Sequence, residues 1–361
     1  MRRLPTSVLA AAFVVACCQI ASAADLTPLA YKAVPPAVTT GNWYFWLDGV
    51  YDSVRLPSSA LGLHTSTAAG TPSALTDLGP SQSFDPTSTG GGARGALGYI
   101  VPGSDLRFEL GGSYVAAKAT GTQTTSVSPA ATVVMLDGTT PSGYNCVVAA
   151  CAATGNFSSN YTAWQLDGKV AAERRYGAIT VTPSLTLFGG NTGDHQSFSQ
   201  AFSQTNAGLF NTASYAAAVA LHWTDLGARA GLDLSAPVGN ALTLNLGGWI
   251  GAASRHASLS GSDTEVGIFG GIPAVPFGSA VSASSSRGVW LANGEAGLSY
   301  ALNPAVTLRG FAGLNYDSAV PGLASPSYGG NFIAGTTPVP AGITYAQETS
   351  YYAGGGLLVR F

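Results

Sequence analysis

The amino-acid sequence predicts an all-β fold: an antiparallel barrel of ten strands that closes on itself and spans a membrane. Three observations carry this prediction. Only 9% of the 361 residues are charged, against about 25% in an ordinary soluble domain. Segments in which apolar and polar residues alternate recur along the chain, as in strands with one face in lipid and the other in a polar lumen. Short and long connections between these segments also alternate, which is typical of such a barrel and not of a solenoid with one fixed repeat.

The first residues have the pattern of a secretory signal peptide. Two arginines open the chain, an apolar stretch follows over 9–20, and small residues over 21–23 form a cleavage site. Lipoprotein processing at Cys17 is the alternative. A proline-containing stretch without alternation comes next and is expected to be an extended periplasmic linker. The predicted organisation is a signal peptide over 1–23, the linker over 24–41 and the barrel over 42–361.

The alternation is clearest over 164–175. Even positions from Trp164 to Ala172 are apolar or glycine, whereas most odd positions are charged or amide residues. Five more segments show the same division, and each has about the length of a tilted spanning strand. Ten strands are therefore predicted, over 42–54, 87–101, 106–120, 158–175, 178–197, 211–236, 241–257, 285–302, 305–318 and 343–361. Twelve strands are the alternative, and either even number predicts that both termini are periplasmic.

The last predicted strand alternates down to a terminal aromatic residue, Phe361. Bacterial outer-membrane barrels commonly end in such a residue, which the barrel assembly machinery recognises, so Phe361 is the expected assembly signal. Aromatic residues over 43–46 open the first strand at the same membrane face. They supply the aromatic belt that is expected at a membrane interface.

The opening residues carry a family resemblance. The segments 23–26 and 30–36, followed by Trp43, look like the start of porin-like and surface-antigen outer-membrane barrels of alphaproteobacteria. The stretch 226–232 is similar to strands of autotransporter barrel domains, but no passenger domain precedes the barrel here. The resemblance implies the outer membrane of a Gram-negative bacterium. It also implies membrane lipid, lipopolysaccharide and the assembly machinery as partners. No basic patch indicates nucleic acid, and the oligomeric state stays open.

Two cysteines, Cys146 and Cys151, remain after the predicted signal peptide. In an exported chain they predict one disulfide, in a polar loop between strands. No metal ligands lie near them in the sequence, so neither a metal site nor a cofactor is expected.

Charged residues at lumen-facing positions are balanced, six basic and six acidic by parity. An ion-selective pore is expected to show an excess of one sign, whereas a balanced set can pair across a narrow lumen and fill it. Asp167, Lys169 and Glu173 share one face of a strand, and Arg107, Arg229 and Arg309 are their expected partners. A narrow solute path is the alternative. The predicted network comprises Asp48, Arg94, Arg107, Glu109, Asp167, Lys169, Glu173, Arg229, Asp233, Glu295, Arg309 and Arg360.

An enzyme is not expected. Asp194 and His195 are adjacent near a strand end, where ten-stranded outer-membrane proteases keep such residues, but neighbouring residues on a strand point to opposite faces. No protease motif or Ser/His/acid set stands out, and the remaining polar candidates are loop residues or surface histidines: His64, Asp77, Asp85, His222 and His256. Three functions follow. The first is a porin-like or structural envelope protein with at most narrow solute passage, the second a surface-interaction barrel acting through its loops, and the third a rim hydrolase.

Overall fold

The structure, a computed structural model, describes residues 42–66, 75–76, 80–127, 132–135, 142–145, 151–206, 209–269, 272–273, 277–324, 331–332 and 341–361. These residues belong to the compact unit that spans Thr40–Phe361. The predicted signal peptide, the linker and Cys146 lie outside the described residues. In the part of the chain that is described, no helix is long and apolar enough to cross a bilayer.

Ten long antiparallel strands form a closed barrel, which confirms the predicted fold and strand number. Each strand pairs with the next along the chain, and the last pairs with the first. The strands are β1 Trp43–Arg55, β2 Thr87–Ile100, β3 Leu106–Val127, β4 Cys151–Ala172, β5 Ile179–Asn206, β6 Leu209–Pro237, β7 Leu242–Phe269, β8 Phe277–Ala301, β9 Val306–Ala324 and β10 Gly342–Arg360.

Short strands lie in the connections between the ten long strands. Four of them form a small separate sheet: Ser59–Ser66, Pro80–Phe84, Thr132–Met135 and Ser142–Asn145. Leu75–Thr76 pairs with Asn331–Phe332. The last two, Arg174–Tyr176 and Ile272–Pro273, pair with β5 and β7. None of these short strands lies between two strands of the barrel wall, so the ring of ten is unbroken.

The two ends of the barrel differ. At one end the connections are tight turns, and two of them place a glycine at positive φ, Gly103 at +73° and Gly177 at +62°, where a side chain would be strained. Trp43 and Phe361 exchange two backbone hydrogen bonds of 3.3 and 3.0 Å at this end, so β1 begins where β10 finishes. We call this the turn end and the opposite end the loop end.

The polarity of the barrel wall inverts between these ends. Towards the turn end the outside carries exposed Leu, Ile, Val and aromatic side chains, the exterior belt of a membrane barrel. At the loop-end limit of this belt lie Tyr51, Tyr114, Trp164, Trp290 and Tyr351, all exposed. Further towards the loop end, β3 to β8 continue with polar side chains outside and apolar ones inside. We call this part of the six strands the extension.

The extension corrects the predicted strand ends. The sequence predicts long connections between the predicted strands at about 121–158, 198–211 and 258–284, but much of these stretches belongs to β3 to β8. Their serine and threonine content suggested loops, yet the period of two continues through them. Ser158 and Ser197 point outwards, whereas their sequence neighbours Phe157 and Phe198 are buried inside the barrel. The alternation persists with its polarity reversed, because here the outside meets water instead of lipid.

Candidate functional site: the barrel lumen

A first cluster of charges crosses the lumen within the belt. Arg94 on β2 contacts Asp48 on β1 at 3.2 Å and Glu295 on β8 at 2.7 Å. Arg309 on β9 approaches the same two carboxylates at 3.7 and 4.0 Å. Asp48 is fully buried. The guanidinium groups of Arg94 and Arg309 therefore share the carboxylates of Asp48 and Glu295. These two acids lie on β1 and β8, which are not neighbours in the barrel.

Aromatic side chains fix this cluster in place. Tyr352 donates a hydrogen bond of 2.9 Å to Glu295 and accepts one of 2.8 Å from Asn293. The Arg94 guanidinium carbon lies 4.1 Å from the centre of the Phe311 ring, within range of a cation–π contact. The cluster is thus a packed network and not a set of mobile charges along a wide pore.

A second cluster lies beside β3 and β4. Lys169 contacts Asp233 at 3.3 Å and Glu109 at 4.0 Å, and Arg107 lies 3.5 Å from Glu109. Tyr44 donates a hydrogen bond of 2.5 Å to Glu109. Its ring occupies the space over Gly98, where an added Cβ would lie 2.1 Å from the Tyr44 Cζ atom. Glycine at this position allows the tyrosine to turn into the lumen and close part of it.

A third ion pair lies in the lumen. We call this pair and the two clusters together the charged layer. Arg229 on β6 contacts Asp167 on β4 at 2.9 Å, across the intervening strand β5. Its guanidinium carbon lies 4.8 Å from the Trp249 ring centre and 5.4 Å from that of Phe188. Aromatic rings therefore accompany the arginines at both sides of the lumen.

The structure gives some predicted charges other partners than expected. Of the expected pairings for Asp167, Lys169 and Glu173, only Asp167 with Arg229 is present. Lys169 instead contacts Glu109 on the neighbouring strand β3 and Asp233 on β6, beyond β5, and Arg309 joins the first cluster. Glu173 lies 3.4 Å from Arg175 near the turn end. Parity predicts on which face of a strand a residue lies, but not which strands approach one another across the lumen.

Arg360 also lies outside the clusters. It is exposed at the turn end of β10, and among the described residues no ion pair joins it to the charged layer.

An arginine that the sequence analysis missed separates the charged layer from the loop end. Arg255 on β7 is 2% exposed and makes two hydrogen bonds of 2.7 Å to Asp225, the residue opposite on β6. It also lies 2.8 Å from an Asp317 carboxylate oxygen on β9 and donates to the Ala319 carbonyl oxygen at 2.8 Å. Asp225 lies at a lumen-facing position of β6, and the alternation along β7 would have marked Arg255, the residue opposite, in the same way.

Beyond Arg255 the side chains that fill the lumen are mainly apolar. A core of buried aromatic and aliphatic side chains fills it, including Phe157, Phe198, Leu221 and Leu259. Phe84, from the connection between β1 and β2, stacks on Phe157 with ring centres 5.2 Å apart. Among the described residues, its buried members are Phe84, Ala153, Phe157, Phe198, Tyr215, Ala217, Val219, Leu221, Trp223, Ala257, Leu259, Val281, Leu323 and Ala341.

The first long connection is part of this closure. Gln82 is buried and donates hydrogen bonds to the carbonyl oxygens of Gln123 and Ala153, at 2.8 and 3.2 Å. These bonds satisfy backbone groups at the mouth of the barrel and hold Phe84 over the core. The segment 80–84 therefore lies in the loop-end mouth and helps to seal it.

The residues weighed for catalysis do not meet. Asp194 points into the lumen, where it accepts hydrogen bonds of 2.6 Å from Ser159 and Gln196, whereas His195 points outwards and its ring packs 5.2 Å from that of His222. Asp85 pairs with Arg55 at 3.3 Å on the surface. Within the described residues, no three histidine, cysteine or acidic side chains form a metal-binding group. Asp77 and the His64 side chain lie outside the described part.

Known proteins resemble this chain in fold only. No protein-family model and no curated protein matches the sequence. Among solved structures, the outer membrane protease OmpT from Escherichia coli aligns with 88% of this chain and 97% of its own, at 8% identity and a TM-score of 0.42. The COG4313 outer membrane channel from Pseudomonas putida F1 covers 93% and 100%, at 8% identity and a TM-score of 0.30. A Pseudomonas aeruginosa FadL homologue covers 89% and 90%, at 8% identity and a TM-score of 0.25.

Proposed function

We propose that this chain is an outer-membrane barrel with a closed lumen, a structural component of the cell envelope through which solutes pass narrowly at most. The belt of exposed apolar side chains supports residence in a membrane, and closed barrels of this kind are the outer-membrane type. The termini and tight turns would face the periplasm, and the loop end the outside. The opening residues favour alphaproteobacterial barrels as its relatives.

The observation that carries the proposal is that side chains fill the lumen at two levels, with ion pairs at one level and mainly apolar side chains at the other. Within the belt, paired charges and aromatic rings bridge it, as in the contact of Arg94 with Glu295. Beyond Arg255, a core of buried and mainly apolar side chains fills the lumen. An ion crossing this core would lose its hydration among apolar groups, and the few polar groups there, such as Asp194, already hydrogen-bond to Ser159 and Gln196, which opposes conduction.

Conductance in planar bilayers tests the proposal. We expect the refolded full chain to give little or no steady conductance. Arg309→Ala should leave the current near zero, because the apolar core still closes the loop end. The double variant Phe157→Ala/Phe198→Ala should raise the current, because it thins that core.

A further variant distinguishes loss of the apolar seal from misfolding of the barrel wall. Phe84→Ala removes one ring of the seal from a connection instead of from the barrel wall, so the wall keeps its packing. It should give an intermediate current. A large, stable conductance of the unmodified chain would overturn the closed-lumen proposal and favour a general porin.

A second candidate function is surface interaction. It is favoured by the extension, which carries six strands beyond the belt and would present a broad wall outside the membrane. A rim hydrolase gains no such support, since Asp194 and His195 occupy opposite faces of β5.

A further inference from the structure

One acidic side chain lies in the apolar part of the lumen without a cation. Asp194 on β5 is 1% exposed, and among the described residues no ion pair joins it to a basic group. Its two carboxylate oxygens accept hydrogen bonds of 2.6 Å from two neutral groups, the Ser159 hydroxyl and the Gln196 amide. The acids of the charged layer, in contrast, each contact an arginine or a lysine.

The side chains that face Asp194 from the surrounding strands are uncharged. Tyr161 on β4 and Leu221 on β6 lie directly opposite it. Further round the wall, β3 contributes Ala119 and β2 contributes Ser88, and both are buried. A tyrosine or serine hydroxyl can donate a hydrogen bond to a carboxylate but brings no positive charge. The carboxyl group therefore lies among apolar and hydroxyl groups.

The cations near this carboxyl group are directed elsewhere. His195 follows Asp194 in sequence but points out of the barrel. Arg255, the buried cation of the neighbouring part of the lumen, pairs with Asp225 on β6 and Asp317 on β9. Neither of them neutralises Asp194 by direct contact, so a proton is the neutralising cation that the lumen leaves for this acid.

Asp194 lies in the extension, outside the membrane belt. It is opposite Tyr161, which is three residues beyond Trp164 at the loop-end limit of the belt. Burial raises the pKa of the Asp194 carboxyl, and the two hydrogen bonds that it accepts oppose this rise only in part.

The hydrogen bonds of Asp194 lead to the segment that seals the loop end. The Ser159 hydroxyl oxygen, which donates to Asp194, lies 3.5 Å from that of Ser88 at the beginning of β2. The connection that precedes β2 carries Phe84, whose ring stacks on Phe157, two residues before Ser159 on β4. The carboxyl group is thus linked through two hydroxyl groups to the connection that closes the mouth of the barrel.

We propose that Asp194 is a proton-controlled switch of the loop-end seal, which is closed while the carboxyl group carries a proton and loosens when it ionises. A buried carboxylate without a cation is stabilised when water reaches it. Water reaches Asp194 when the connection that covers the core moves away from β4. The inference rests on the closed lumen proposed above and adds the condition under which the lumen opens.

The raised pKa sets the direction of the pH dependence. The stabilisation that Asp194 contributes is complete below the pKa of an unfolded aspartate. It is lost as the pH rises through the higher pKa of the folded chain. Asp194→Asn stays neutral at every pH and keeps a similar shape, so it should not show this loss.

Urea titration of the refolded chain in lipid vesicles tests the switch, from about pH 4 to about pH 9. Relative to Asp194→Asn, the unfolding equilibrium constant of the unmodified chain should rise by about tenfold for each pH unit between the two pKa values. Ser159→Ala should move this rise to higher pH, because it removes a hydrogen bond that favours the ionised form. A merely structural role of Ser159 would lower the stability equally at every pH.

Opening of the seal is measured through a cysteine in the core. Ala153 is buried, and its carbonyl oxygen accepts a hydrogen bond from Gln82 of the sealing connection. In an Ala153→Cys chain whose native cysteines are replaced by Ser, a water-soluble maleimide should react several-fold faster with Asp194 present than with Asp194→Asn at about pH 9. The two rates should converge towards about pH 5, and comparison at equal pH cancels the pH dependence of the thiol itself.

Asp85→Asn is the matched control, because it removes an exposed carboxylate that is paired at the surface. It should keep the pH dependence of the unmodified chain, and so should His195→Gln, which removes the adjacent histidine. All variants should first be shown to fold by gel mobility.

The outcomes separate the switch from the closed lumen. A difference between the unmodified chain and Asp194→Asn that is the same at every pH would overturn the switch. Maleimide rates that stay equal while the stabilities diverge would also overturn it, because ionisation would then leave the seal closed. A large conductance at the lowest pH would instead overturn the closed lumen itself.

Discussion

Replacing Arg255 by methionine should destabilise the barrel more than the loss of any surface ion pair. The guanidinium is 2% exposed and contacts Asp225 twice at 2.7 Å and Asp317 at 2.8 Å. Methionine keeps much of the volume but leaves two carboxylates without their cation. Removing one partner of a buried ion pair costs about 3–5 kcal/mol, and the lost bond to the Ala319 carbonyl oxygen adds about 1 kcal/mol.

The free energy of unfolding can be measured by urea titration in lipid vesicles. Arg55→Met is the control: the Arg55 side chain is half exposed and pairs with Asp85 and Glu348, so this change should cost at most about 2 kcal/mol. Adding Asp225→Asn and Asp317→Asn to Arg255→Met should restore part of the loss, because the uncompensated charges are gone. A cost for Arg255→Met no larger than that for Arg55→Met would refute the reasoning.

Three more outcomes are expected. The folded chain should migrate differently on a gel before and after boiling in detergent, because a closed hydrogen-bonded barrel resists unfolding; identical migration with a helical circular dichroism spectrum would contradict the fold. Mass spectrometry of the unreduced chain should find a Cys146–Cys151 disulfide, and two free thiols would remove that prediction. Gly98→Val should destabilise the barrel by about 1–3 kcal/mol in the same urea assay, because a side chain there meets the Tyr44 ring; no measurable loss would show that the ring moves aside freely.

The barrel could be predicted from the sequence because the alternation of apolar and polar residues is both its clearest pattern and the strictest requirement of a strand in lipid. A strand that crosses lipid needs an apolar outer face, and the alternation over 164–175 records that requirement directly. The strand number followed from counting these segments. The extension was missed because water imposes no comparable demand on the outer face, so serine and threonine there resemble loop residues.

The candidate site was predicted in part for a similar reason. Parity shows which side chains enter the lumen, as with Lys169 and Arg94, but contacts across a lumen depend on the stagger of the strands. Arg309 consequently contacts Asp48 and Glu295 rather than the acids of β4. The aromatic rings that surround the arginines, such as Phe311, appeared in the sequence as ordinary strand residues.

The inversion of polarity along the strands has a consequence for insertion. For the barrel to span a bilayer, one of its ends has to travel through hydrocarbon, and a charged side chain on the lipid face costs about 2–4 kcal/mol at the midplane if it is Arg or Lys. Among the outward positions of the described extension, Lys118 alone carries a permanent charge, and the exposed Arg287 lies at an inward position over the Tyr345 ring. The outer face of the extension consists mainly of serine, threonine and alanine. These small uncharged side chains are compatible with water and are less costly than charged ones in hydrocarbon. The scarcity of charge in this sequence therefore suits the passage of the extension across the bilayer as much as its final position.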